Sequence, residues 1–144
     1  MSEDNARQLL QEMQGMESYF TNLAQRENVL ISVLREATAA IDSINALKEK
    51  PDSETLVPVG LGSYVQSKIS SKDAVFLSIG AGIVLEKDSD SAVNYLEARI
   101  KEIQVALQDT SAKKQEVAAR LEQGKAQLNQ FMQAGAPRPG PGDV

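Results

Sequence analysis

Apolar residues recur along the first fifty positions at alternating steps of three and four: Ala6, Leu9, Met13, Met16, Phe20, Leu23, Glu27, Leu30, Leu34, Ala37, Ile41 and Ile44. Only Glu27 is polar. This spacing holds one narrow stripe on one side of an α-helix, and a stripe that narrow is buried by another helix rather than by a globular core. A second stripe supplies that partner: Val93, Leu96, Ile100, Ile103, Leu107, Thr110, Lys114, Val117, Leu121, Gly124, Leu128 and Phe131. The pattern predicts helices over 3–49 and 89–133, each a rod of roughly 70 Å at about 1.5 Å per residue. Ser2 or Asp4 can cap the first helix and Pro51 stops it, while Asp88, Ser89 or Asp90 can cap the second and Gly135 ends it. Equal lengths around a compact insert predict one folded-back pair.

An antiparallel pairing can be checked inside the sequence, because the two residue numbers in every layer of such a seam have a constant sum. A sum of 137 generates twelve layers, from Ile44 with Val93 to Ala6 with Phe131, and nine of them are apolar on both sides. The exceptions are Met13 with Gly124, Leu23 with Lys114, and Glu27 with Thr110. A one-heptad shift would set Glu27 against Ile103 or Val117; at 137 it faces a hydroxyl, with Lys114 one layer away. Glu27, Thr110 and Lys114 are therefore candidates for fixing the register. The plainer alternative is that both charges simply reach solvent from a thin seam.

Between the helices the chemistry changes. Residues 54–59, 62–69, 74–79 and 82–87 read as strands, with Ser71-Lys72-Asp73 as a polar turn. LVPVGLGSYV and FLSIGAGIVL each carry a Gly-x-Gly. A phosphate-binding loop of that kind needs a third glycine and then a helix N-terminus to meet the anion, and here each pair runs into another strand. Gly60, Gly62, Gly80 and Gly82 instead supply turns with positive φ, or bulges, in two successive β-hairpins. The insert has 37 residues, over 52–88, and is too small to hide its own apolar side chains. Val57, Val59, Val65, Ile69, Val75, Leu77, Ile79, Ile83 and Leu85, together with the open strand edges, call for cover by other subunits.

Composition excludes several function classes. Histidine and cysteine are absent, which removes the commonest general base, the commonest metal ligand, thiol chemistry and any disulfide. Fifteen Lys and Arg are interleaved with twenty Asp and Glu for a net charge of −5, so no basic stripe offers a nucleic-acid footprint. The uncharged run 74–85 is too short to span a bilayer, and the acidic start is unlike a signal peptide. These features predict a soluble cytoplasmic chain. Ser111-Ala112-Lys113-Lys114 matches a Ser-x-x-Lys spacing, but it falls in a coiled-coil helix with no partner motif. The expectation is no enzyme, no metal and no cofactor.

LVPVGLGSYVQSKI, followed by VFLSIGAGIVLEKDSDSAVNYL and set between two heptad helices, closely resembles the alpha type of prefoldin subunit, most of all the archaeal form. The carrying residues are Leu56-Val57-Pro58 with Gly60 and Gly62, then Gly80, Gly82 and Glu86-Lys87, and two hairpins look like the alpha type whereas the beta type has one. The resemblance implies an α+β fold, an antiparallel two-helix coiled coil with two β-hairpins at its base, the hairpins joining an inter-subunit β-barrel platform. It implies a hetero-hexamer of two alpha and four beta subunits that holds unfolded protein without ATP and passes it to a group II chaperonin. The organisation expected is a coiled-coil helix at 1–50, hairpins at 51–88, a coiled-coil helix at 89–134 and a disordered Pro/Gly tail at 135–144.

Within that frame the free helix ends are the candidate client-binding surface. Leu9, Leu10, Met13, Met16, Leu128, Phe131 and Met132 exceed what a two-helix seam needs, and methionine adapts to many sequences. Leu10 and Met132 lie outside the seam positions and should be exposed, while for Leu9, Met16 and Leu128 ordinary core is the stronger reading. Gly124 opposite Met13 should leave a gap that lets the ends splay. The competing class is a coiled-coil spacer whose hairpins build a scaffold without a client.

Overall fold

The computed structural model describes residues 2–70 and 74–135; the polar turn expected at 71–73 and the tail after Gly135 lie outside the described residues. Two 47-residue helices, α1 (Glu3–Glu49) and α2 (Ser89–Gly135), bracket the strands β1 (Glu54–Gly60), β2 (Ser63–Lys68), β3 (Val75–Gly80) and β4 (Ile83–Lys87). The helix starts are set by side-chain caps. Of the candidates, Ser2 accepts the Asn5 N–H at 3.3 Å, and Asp88 accepts the Ser91 N–H at 2.7 Å. Each bond satisfies an amide that has no intrahelical partner.

The chain divides into two packed units. The first holds residues up to Val29 with those from Ala106 onward, and the second holds Leu30–Val105. In the first unit Met13, Leu23, Val117 and Leu121 are buried, and Leu9, Met16, Phe20 and Leu128 pack against them. These are seam positions of both helices, and burying each such side chain contributes roughly 1.5–3 kcal/mol. The second unit buries Ala92 and Ile103 and half-buries Leu34, Ala37, Ile41, Ile44, Val93, Leu96 and Ile100, the same stripe continued. There Lys48 of α1 also pairs with Asp90 of α2, both substantially exposed.

The strands of the second unit form two separate two-stranded antiparallel sheets, β1–β2 and β3–β4, and no barrel closes among the described residues. Val57 faces Val65 in the first hairpin and Leu77 faces Leu85 in the second. Both ladders slip at the glycine before the turn, between Pro58 and Gly60 and between Ser78 and Gly80. Gly60 and Gly80 sit there at φ of 117° and 103°, while the turn residues Leu61-Gly62 and Ala81-Gly82 also have positive φ. Positive φ at both central residues is the requirement of a type I′ hairpin turn, so each Gly-x-Gly serves as a bulge plus a turn. Leu61 and Ala81 adopt this conformation with a Cβ, at a cost of order 1 kcal/mol each.

Asp88 generates a pH dependence. Its carboxyl is held below its ordinary value of 3.8, first by the Ser91 backbone N–H and then by the Ser91 hydroxyl. The folded state thus favours the ionised form, so the cap stabilises above that value and is lost as pH falls through the depressed native pKa. Asp88→Ala should lower the melting temperature at neutral pH, and a series of melts into acid should show its deficit against wild type closing.

Candidate interaction surfaces

The polar layer of the seam lies in the first unit. Lys114 Nζ donates to Glu27 Oε1 at 2.8 Å, with side chains 26% and 20% exposed respectively. Thr110 is buried, and its hydroxyl donates to the Ala106 carbonyl at 2.8 Å. The acid is therefore answered by the lysine one layer on, and the threonine is satisfied within its own helix. Threonine commonly bonds the carbonyl four residues back, an option that spacing alone does not weigh against a cross-seam contact. Among the described residues, the four ion pairs formed within α2 itself are local, three or four residues apart and exposed. Such pairs contribute little.

The expected gap at Gly124 is absent. Gly124 is buried, and a Cβ built on it would stand 2.9 Å from Met13 Sδ and 3.1 Å from Met13 Cγ. Met13, only 6% exposed, lays its thioether into the space that the missing side chain vacates. An unbranched side chain with three rotatable bonds fills an irregular hole in this way. The layer is packed rather than open, so no gap there favours splaying of the helix ends.

The free helix ends divide by position. Met13 is buried, whereas Leu9, Met16, Leu128 and Phe131 are half-buried. Leu10 and Met132 stand 47% and 69% exposed, the only two of the seven candidates in that class. Gln127, Gln130, Phe131 and Ala134 line a groove along the last turns of α2, and Tyr19 is exposed on α1. The glutamines and Tyr19 escaped sequence reasoning because neither type breaks the polar face of a heptad pattern.

Strand register sets Val57 and Val65 on one face of the first hairpin, and Val75, Leu77, Ile83 and Leu85 on one face of the second. Val75 and Leu77 are half-buried, and the Ser78–Gly80 end of β3 forms one wall of a cleft with Val33, Ala37 and Ala40 of α1 and Tyr95 and Leu96 of α2. Most of the rest of that face is exposed, Val59, Val65 and Ile83 by more than half. The opposite face of each hairpin carries a second apolar set that sequence reasoning left out: Leu56 and Tyr64 on the first hairpin, Phe76 and Val84 on the second, all more than half exposed. Glu54, Gln66 and Glu86 interleave with these residues and give that face the appearance of a solvated one. Among the described residues no three His, Cys, Asp or Glu side chains cluster as a metal site, and no helix is long and apolar enough to cross a membrane.

The Met13–Gly124 contact predicts a non-additive pair. Gly124→Ala should deliver less than the about 1 kcal/mol expected from helix propensity, because Met13 must move. In a Met13→Ala background the same substitution should recover the full gain. Denaturant titration of the four proteins measures the coupling.

Comparison with known proteins places this architecture. The family model described as Prefoldin subunit matches residues 16–134. The prefoldin subunit alpha of Nitrosopumilus maritimus is 62% identical over 134 residues, covering 93% of this chain and 92% of that protein. The prefoldin subunit alpha of Methanospirillum hungatei is 30% identical, covering 92% and 95%. Two solved structures share the fold: filamentous PFD from Methanocaldococcus jannaschii, at a TM-score of 0.66 and 21% identity, covers 83% of this chain and 98% of its own. The prefoldin beta subunit from Thermococcus strain KS-1, at a TM-score of 0.62 and 17% identity, covers 92% and 95%. On the family match, the identity to alpha subunits and the helix–double hairpin–helix order together, the chain belongs to the prefoldin alpha-subunit family, a non-enzymatic chaperone family.

Proposed function

We propose that this chain is a holdase subunit that captures unfolded polypeptides at the free ends of its helices, without ATP, and delivers them to a group II chaperonin. Its hairpins join those of beta-type partners in a β-barrel platform, two copies of this chain with four partners, in the cytoplasm. The observation that carries the reading is the exposure of Leu10 and Met132 beside the half-buried Leu9, Met16, Leu128 and Phe131. Apolar side chains left outside a completed seam cost hydration free energy unless a partner covers them, and non-native chains supply flexible apolar segments that can. No pocket built for one ligand is needed, since an adaptable surface suits many sequences.

Assembly has a separate support. Two-stranded hairpins are marginal by themselves. The exposed Val57, Val59, Val65, Ile79, Ile83 and Leu85, with unpaired strand edges, are relieved when neighbouring hairpins add to the ladder. Glu27 and Lys114 act in this reading as the register device of the seam. Replacing both by Leu should raise the melting temperature, and cross-linking of cysteines placed across the seam should then reveal more than one register.

The holdase reading is tested by removing residues before Met16 and after Lys125 and co-expressing the shortened chain with a beta partner. The complex should keep its mass, and light scattering from a denatured client should rise to the level seen without chaperone. Full suppression of aggregation by the truncated complex would overturn capture at the helix ends; no suppression even by the intact complex would favour the spacer class.

A further inference from the structure

The chain holds four methionines and no cysteine, so thioethers are its only sulfur groups and no thiol within it competes with them for an oxidant. Met1 lies outside the described residues, and the other three are held at three depths. Met13 is 6% exposed, with its Sδ lodged in the hollow over Gly124. Met16 is half-buried against the cluster of Met13, Leu23, Val117 and Leu121. Met132, one turn beyond the half-buried Leu128, is 69% exposed. A thioether reacts through a sulfur lone pair, so access of the oxidant to the side chain decides which of the three reacts first. By that measure Met132 is open, and Met13 is shut for as long as the seam is closed.

We propose that Met132 is a site of reversible oxidation by peroxides, and that its sulfoxide weakens client capture at the free helix ends while the seam stays intact. The inference rests on the capture reading above. In the step, a lone pair of Met132 Sδ attacks one oxygen of hydrogen peroxide. The S–O bond forms as the O–O bond breaks, the departing hydroxide takes the proton of the newly bound oxygen, and water leaves. Sulfur is oxidised by two electrons and the peroxide is reduced. The product is polar where the thioether was apolar. Position decides what that change does. Leu10 and Met132 are the two client-binding candidates that stand exposed outside the seam, so a sulfoxide at Met132 removes one of two fully presented apolar groups and leaves the buried layers unaltered. An added oxygen on Met13 would have no such freedom, because even a Cβ at Gly124 would stand 2.9 Å from its sulfur. The seam thus shields the methionine on which its own packing depends and leaves to the oxidant the one that faces a client.

The test exposes the full chain, in complex with a beta partner, to hydrogen peroxide and follows each methionine by peptide mass spectrometry. Met132 should be oxidised about tenfold faster than Met13 in the native complex, and all three methionines within about twofold of one another in denaturant. The concentration of complex that half-suppresses light scattering from a denatured client should rise about threefold or more on oxidation. It should fall back after treatment with a thiol reductant and the two methionine sulfoxide reductases, one for each epimer. A complex carrying Met132→Leu isolates the site, since oxidation of the partner is common to both complexes. Whatever its starting activity, its rise under the same peroxide should be less than about half that of wild type. Met132→Gln, polar and inert to peroxide, should behave untreated as the oxidised wild type does. Met13 reacting as fast as Met132 in the native complex, complete oxidation of Met132 without loss of suppression, or an equal rise in Met132→Leu would each overturn the proposal while the untreated complex stays active. An untreated complex that suppresses nothing would sink the capture reading itself and the switch with it.

Discussion

The structure rests on the mutual burial of two narrow apolar stripes, one on each long helix. Neither helix has another way to leave water: its stripe is too thin for a globular core, and its remaining faces are mostly polar. In the unit holding Met13, Leu23, Val117 and Leu121, the pairing that covers these residues also decides what happens to everything polar in the seam. Glu27 meets Lys114, and Gly124 becomes the hollow into which Met13 extends. A glycine in mid-helix would ordinarily weaken the element, yet here it permits a long side chain to lie where a Cβ would clash.

The hairpins follow the opposite logic. Their turns are completed within the chain, by bulge and type I′ geometry around each Gly-x-Gly, whereas their faces are not. A four-strand insert split into two sheets has apolar residues on both sides and no layer to put over them. In the proposed assembly, other strands and faces would cover these residues and so recover the free energy that folding of the single chain leaves unclaimed.

Most of the architecture was legible from sequence because its determinants are periodic and local. Period 3.5 over a dozen layers specifies partner, direction and register of the helices together, and the same arithmetic that pairs Ile44 with Val93 places Gly124 on Met13. Caps followed from residue type, although choosing Asp88 over Ser89 and Asp90 required the observed hydrogen bond to Ser91. The glycine pairs were readable as turns with positive φ because each is followed by a strand rather than by a helix.

What the amino-acid order determined by itself is therefore the set of elements and the layer that sets Gly124 on Met13, since both depend on spacing along one dimension. Only the tertiary structure decided how individual atoms fill the layers: that Thr110 bonds its own helix, that Met13 closes the Gly124 hollow, and that the hairpins present Leu56, Tyr64, Phe76 and Val84 on a second face. The reason is physical. Side-chain torsions and the outward or inward sense of a two-faced strand are settled by packing in three dimensions, and a pattern of residue types carries no torsion angle.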